Sequence, residues 1–171
     1  MNDDIYPPLG SLPIDKQILN LIGPTIKRGK SRQDYETPWS FIKAVEAKFG
    51  PIAFDLAADS ENFKGPEGMY FDVQNDAFRH DWSKITGNLW LNPPYGTIGP
   101  WAKKASEGGR VLLLTPASVG SNWFADYVHG KAHVYFLRPR LVFEGADDPY
   151  PKDLILSVFA EPPGYTPWKW I

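Results

Sequence analysis

The 171-residue chain contains no cysteine at all, which removes disulfides, thiolate metal centres and thiol nucleophiles from consideration. No N-terminal signal pattern and no apolar run of the ~20 residues needed to span a bilayer is present. A cytoplasmic protein, in a bacterial host if the chain is viral, is therefore the expectation. The three histidines, His80, His129 and His133, show no metal-ligand spacing, and no His-x-Glu is paired with cysteines as a zinc deaminase requires. No metal is expected. There is no Gly-x-x-x-x-Gly-Lys-Ser/Thr loop, so nucleotide hydrolysis of the usual kind is excluded. Nor is there a strong excess of charge: the formal net value of −2 argues against a wholly basic binder but leaves room for a local basic face. Glu46-Ala47-Lys48 echoes the acidic-x-Lys element of nucleases, yet it lies within an amphipathic helical stretch and reads as a solvated face.

What the chain has in quantity is aromatic residues, 15% of the total and including seven tryptophans. Most belong to a core or to pocket walls. Residues 1–33 form one segment of different character, with prolines, glycines, a short apolar piece at Ile18 to Ile22 and the basic cluster Lys27, Arg28, Lys30 and Arg32. This segment is expected to be a partly flexible arm, either solvated or in contact with phosphates. Residues 34–171 are expected to form a single domain.

From Tyr35 onward, helices and strands alternate. Thr37-Pro38 predicts an N-cap followed by proline at the first helical position, with Trp39, Ile42, Ala44, Val45 and Phe49 forming an apolar stripe that ends at Gly50. Strands are predicted at Ile52 to Leu56, Asn88 to Leu91, Arg110 to Thr115, Ala132 to Leu137, Leu141 to Glu144 and Leu154 to Ala160. Helices are predicted at Gly96 to Ser106 and Trp123 to Val128. The alternation implies an open α/β sheet covered on both faces, which binds its ligands at the carboxyl ends of the strands.

One tetrapeptide stands at such an end: Asn92-Pro93-Pro94-Tyr95, directly after Asn88-Leu89-Trp90-Leu91. Its residue types suit chemistry on an amino nitrogen whose lone pair is delocalised into a ring. The Asn92 side-chain oxygen and the Pro93 carbonyl are two acceptors that can each take one amino hydrogen and localise that lone pair. Proline at two positions holds the backbone in one geometry before substrate arrives. Tyr95 supplies a ring face on which an extruded base can stack.

With this tetrapeptide, the chain resembles the phage and prophage Dam-like DNA N6-adenine methyltransferases. The matching features run from Tyr35-x-Thr37-Pro38-x-x-Phe41 and Phe49-Gly50 through Phe54-Asp55-Leu56-Ala57-Ala58. They continue with Tyr70-Phe71, His80-Asp81-Trp82, Leu91 to Gly96, Trp101, Lys104-Ala105, and Pro149-Tyr150-Pro151-Lys152-Asp153.

The resemblance implies a single-domain, Rossmann-like fold with a mostly parallel open sheet and an antiparallel C-terminal strand. It implies S-adenosylmethionine as the cofactor, DNA as the partner, a flipped adenine as the target, and Asn92, Pro93, Pro94 and Tyr95 as the catalytic motif. It further implies cofactor contacts from Thr37, Pro38, Asp55 and Ala57, and from Asp81 and Trp82 at the cofactor's adenine. Asp59 and Asp72 are both candidates for the ribose hydroxyls, and each of these aspartates has an alternative reading as a turn or cap residue. The first strand is not followed by the glycine-rich turn of broader methyltransferases, a departure common in the narrower viral group. Arg140 and Lys152 join the basic cluster of the arm as candidate DNA contacts, with surface ion pairing as the alternative. Rival functions are methylation of cytosine N4, of RNA or of a protein glutamine amide, and a catalytically silent nucleic-acid-binding module.

Overall fold

In the computed structural model, residues 35–59 and 61–171 are described; the basic cluster Lys27, Arg28, Lys30 and Arg32 lies outside them. Helix α1 spans Trp39–Phe49 and is followed by strand β1, Ile52–Asp55. Two short 3₁₀ turns, Ala77–Arg79 and Trp82–Lys84, lead to β2, Asn88–Leu91. Then come α2 (Ile98–Glu107), β3 (Arg110–Pro116), α3 (Asn122–Tyr127), β4 (Ala132–Arg138), β5 (Leu154–Phe159) and β6 (Gly164–Lys169).

The six strands form one sheet in the order β1-β2-β3-β5-β4-β6. β1, β2 and β3 pair in parallel, as do β4 and β6, while β5 runs antiparallel between β3 and β4. The fold is thus the expected Rossmann-like α/β sheet, and the antiparallel strand is the predicted Leu154 segment. Both faces are covered, which explains the unbroken apolar runs of β2, β3 and β5. Phe41, Ile42 and Val45 of α1 pack with Trp90, Leu112, Leu114 and Leu156 on one face. Ile98, Ala102 and Ala105 of α2 and Phe124 of α3 pack with Leu89, Leu91, Leu113 and Ile155 on the other.

Two local expectations are corrected and one strand is added. Pro38, not Thr37, is the N-cap of α1, and no side chain caps that helix; the Thr37 hydroxyl is engaged elsewhere. Leu141 to Glu144 alternates buried and exposed as a strand does, but joins no ladder. Instead Leu141 accepts from the Tyr150 N–H and Glu144 donates to the Glu36 carbonyl, making it a half-buried loop. Conversely, Gly164–Lys169 pairs with β4 despite Pro167, because an edge strand tolerates a missing donor. Among the described residues, no helix is long and apolar enough to cross a membrane.

Candidate active site

β2 is buried at all four positions and delivers Asn92 at its carboxyl end. The Asn92 carboxamide donates from Nδ2 to the Tyr35 carbonyl at 2.7 Å and to Thr37 Oγ1 at 3.1 Å. A backbone carbonyl only accepts, so the nitrogen must face it and the orientation of the amide is settled by chemistry. Asn92 Oδ1 is consequently turned the other way; it is buried and has no hydrogen-bond partner among the described residues. An unmatched buried acceptor costs about 1–3 kcal/mol, the kind of expense found where a ligand supplies the missing donor.

Tyr95 sits beside it in a cluster of four rings. Its centroid lies 5.5 Å from Tyr35, 5.7 Å from Tyr150 and 6.4 Å from Phe143. The Tyr95 hydroxyl is buried without a partner among the described residues, and burial, followed by the neighbouring Tyr150 and Tyr35, pushes its pKa well above the usual value. Tyr35, Phe143 and Tyr150 also line a depression of about 310 Å³ whose rim carries Asp147 and Asp148.

Asp55 ends β1, the strand next to β2, and is 3% exposed. Its carboxylate accepts from the Ala57 N–H at 3.1 Å and the Lys64 N–H at 2.9 Å, curling the following loop around it. Burial raises its pKa to about 6 against the lowering effect of these two bonds and of the Lys64 charge. The Lys64 ammonium is itself buried: it bonds Asn62 Oδ1, lies 3.6 Å from Glu36 and sits 4.5 Å over the Trp39 ring. The chain then returns along β1, with the Asp55 carbonyl accepting from Phe71 and the Asp55 N–H donating to Met69.

The other predicted residues fall differently. Asp81 is exposed, caps the Trp82–Lys84 turn through Ser83 and lies 3.5 Å from Lys84; these hydrogen bonds, above all from the Ser83 hydroxyl, hold its pKa below the usual range. Trp82 is 2% exposed, donating Nε1 to the Ala77 carbonyl. Both pack where β3 begins, since a Cβ on Gly108 would meet Ser83 at 2.7 Å and one on Gly109 would meet the Trp82 carbonyl at 3.1 Å. Asn92 is at the exit of the parallel β2, so this pair occupies the opposite end of the sheet. Asp59 and Asp72 cap turns, accepting from Glu61 and from Gln74 and Asn75 respectively. Arg140 does not present a free cation: it pairs with Asp153 at 2.9 Å and reaches the Pro151 carbonyl at 3.4 Å, fastening the loop that carries Tyr150. Lys152 is exposed.

Among the described residues, no group of three or more His, Cys, Asp or Glu side chains could hold a metal ion. Residues 25–154, which end at the start of β5, match the family model described as DNA N-6-adenine-methyltransferase (Dam).

The chain belongs to the Dam family.

Among curated relatives, the DNA N-6-adenine-methyltransferase of Escherichia phage T1 is 30% identical over 114 residues, which cover 64% of this chain and 47% of the phage protein. The chain thus spans about half the length of that relative. YfdM of Escherichia coli strain K12, provisionally named a methyltransferase, is 32% identical over 71 residues, covering 39% of this chain and 71% of YfdM. The Dam match contains Asn92, Tyr95, Asp55 and the ring cluster together. Sequence reasoning missed Tyr35, Phe143 and Lys64 as site residues. Tyr35 stood in a quoted motif but with no role attached, and Phe143 and Lys64 carried no local signal at all.

Proposed function

We propose that the chain transfers a methyl group from S-adenosylmethionine to N6 of a flipped adenine in DNA. The single observation that carries this reading is the buried Oδ1 of Asn92, which has no partner among the described residues, is oriented by its own amide and is set in Asn-Pro-Pro-Tyr at a strand's carboxyl end. In this reading Asn92 Oδ1 and the Pro93 carbonyl each accept one hydrogen of the adenine amino group, which frees the nitrogen lone pair from the ring. Pro93 and Pro94 hold those acceptors in place without adding a donor. Tyr95 stacks on the base, and with the surrounding rings offsets the few kcal/mol that flipping costs. The excess proton leaves to solvent after transfer.

S-adenosylmethionine, when bound, supplies an electrophilic methyl on a positive sulfonium. The residues fit such a group: each Asp55 oxygen accepts one backbone N–H, leaving lone-pair capacity for the methionine ammonium, and a cation there offsets the burial of that carboxylate. Thr37, Pro38 and Ala57 flank the same edge of the sheet as Asn92 and complete the proposed cofactor site. Asp81 and Trp82 stand outside it because they pack at the other end of the strands. DNA contacts are assigned to Lys152 and to the basic cluster Lys27, Arg28, Lys30 and Arg32, which lies outside the described residues.

The test is to incubate the full chain with unmethylated DNA and S-adenosylmethionine, digest to nucleosides and quantify the methylated bases by mass spectrometry. N6-methyladenine that disappears with Asn92→Ala supports the reading. N4-methylcytosine in its place keeps the pocket chemistry and changes the base. Absence of any methylated nucleoside, with cofactor bound, overturns DNA as the substrate.

A further inference from the structure

Asn92 has one job that its own sequence neighbours do not secure: keeping its carboxamide oxygen, rather than its nitrogen, toward the substrate. The two groups have nearly the same size and shape, so the orientation must be enforced by what the nitrogen touches. Two groups 55 or more residues earlier in the chain do this. The Tyr35 carbonyl takes one Nδ2 hydrogen at 2.7 Å, and Thr37 Oγ1 takes the other at 3.1 Å. Thr37 is 2% exposed, so its hydroxyl is held in a dry setting where an unmade hydrogen bond is costly. Both Nδ2 hydrogens are then used, and the amide cannot rotate by 180° without setting its oxygen 2.7 Å from another carbonyl oxygen.

We infer that Thr37 is a positioning residue of the methyl-transfer site, fixing the Asn92 carboxamide so that the pocket presents an acceptor to an N–H-bearing nitrogen. This rests on the function proposed above and gives Thr37 a role beyond its proposed contact with the cofactor. The placement follows from the fold. Pro38 caps α1 with extended backbone, φ −67° and ψ 139°, so Tyr35 to Thr37 run as an irregular strip past the carboxyl end of β2. The same strip sets the Tyr35 ring against Tyr95 and into the wall of the depression. One three-residue segment thereby contributes a ring to the base pocket and both restraints on the amide.

The isosteric Thr37→Val removes the acceptor while keeping the shape, and Thr37→Ser keeps the acceptor while removing a methyl. Turnover is measured on DNA at saturating S-adenosylmethionine, with nucleosides quantified by mass spectrometry. Thr37→Val is expected to lower kcat about ten- to a hundredfold with the KM for DNA within about threefold, and Thr37→Ser to return kcat to within about threefold of the parent. Equal activity of Val and the parent overturns the inference. So does a Thr37→Val defect that vanishes when the cofactor is raised to saturation, because Thr37 would then act through cofactor affinity alone.

A second readout does not depend on any methylation. In the ¹⁵N-asparagine-labelled full chain, the Asn92 side-chain amide hydrogens, assigned by comparison with Asn92→Ala, should exchange slowly with solvent. Thr37→Val should accelerate that exchange at least tenfold, with the other asparagine amides unchanged. Unaltered exchange overturns the positioning role even in a chain that methylates DNA. Accelerated exchange in a chain that methylates nothing supports the role and rejects the proposed function instead.

Discussion

The carboxylate of Asp55 takes the backbone N–H of Lys64 at 2.9 Å, so a residue at the end of β1 organises a loop nine positions further on. Burial raises the Asp55 pKa to about 6 in spite of that bond. The sign of the consequence follows from linkage. A carboxyl whose folded pKa lies above its unfolded value of 3.8 binds more protons when folded, so its contribution to stability is fully present below pH 3.8 and is lost as pH rises through about 6. The shift corresponds to roughly 3 kcal/mol at most. If the ionised form receives the ammonium of S-adenosylmethionine, cofactor affinity should rise with pH through about 6 and level off above it. Calorimetric titrations from pH 5 to 8 check this, and an Asp55→Asn variant should show lower affinity with no step near pH 6. A step of equal size in the variant would assign the titration to another group.

On the proposed function, Asn92→Ala should reduce turnover by about a hundredfold or more, because the pocket would lose the acceptor assigned to the reacting nitrogen. Cofactor affinity measured by calorimetry should stay within about threefold. Parallel loss of both would make Asn92 a structural post for the Tyr35 to Thr37 strip.

Tyr95 separates ring from hydroxyl. Its hydroxyl is buried without a partner among the described residues, so Tyr95→Phe should retain activity and raise stability by about 1 kcal/mol. Tyr95→Ala removes the stacking face and opens a hole between Tyr35, Phe143 and Tyr150. It should cost about 3 kcal/mol or more of stability and most DNA affinity. Thermal unfolding with DNA-binding titrations reads both, and a Phe variant as impaired as Ala would transfer the role to the hydroxyl.

Trp82→Phe provides a test of place. It deletes the Nε1–H that serves the buried Ala77 carbonyl, so unfolding stability should fall by about 1–3 kcal/mol while the affinity for S-adenosylmethionine is unchanged. A substantial loss of affinity in a variant of normal stability would return Trp82 to the cofactor site.

The sequence by itself carried the architecture and the motif. Strands buried on both faces must be apolar throughout, so Leu89 to Leu91 and Val111 to Leu114 declared themselves without reference to their partners. Asn92 to Tyr95 was legible because its chemistry is local, four consecutive residues at the end of one such strand. The edge strand β6 was not, since only pairing with β4 makes Pro167 acceptable, and Leu141 to Glu144 misled because alternate burial arises in a loop as well as in a ladder.

What the tertiary structure alone decided was which residues share a place. Hydrogen-bonding capacity is written in the residue type, whereas its use depends on what the fold brings within about 3 Å. Thr37 had the composition of a helix cap and became a partner of Asn92; Arg140 had that of a phosphate contact and became a clamp on Asp153. Asp81 and Trp82 lay only eleven and ten residues before the motif, yet a strand runs from one end of the sheet to the other and carried them apart. Tyr35, 57 residues from Asn92, came into contact because chain distance sets no limit once the sheet and α1 have packed.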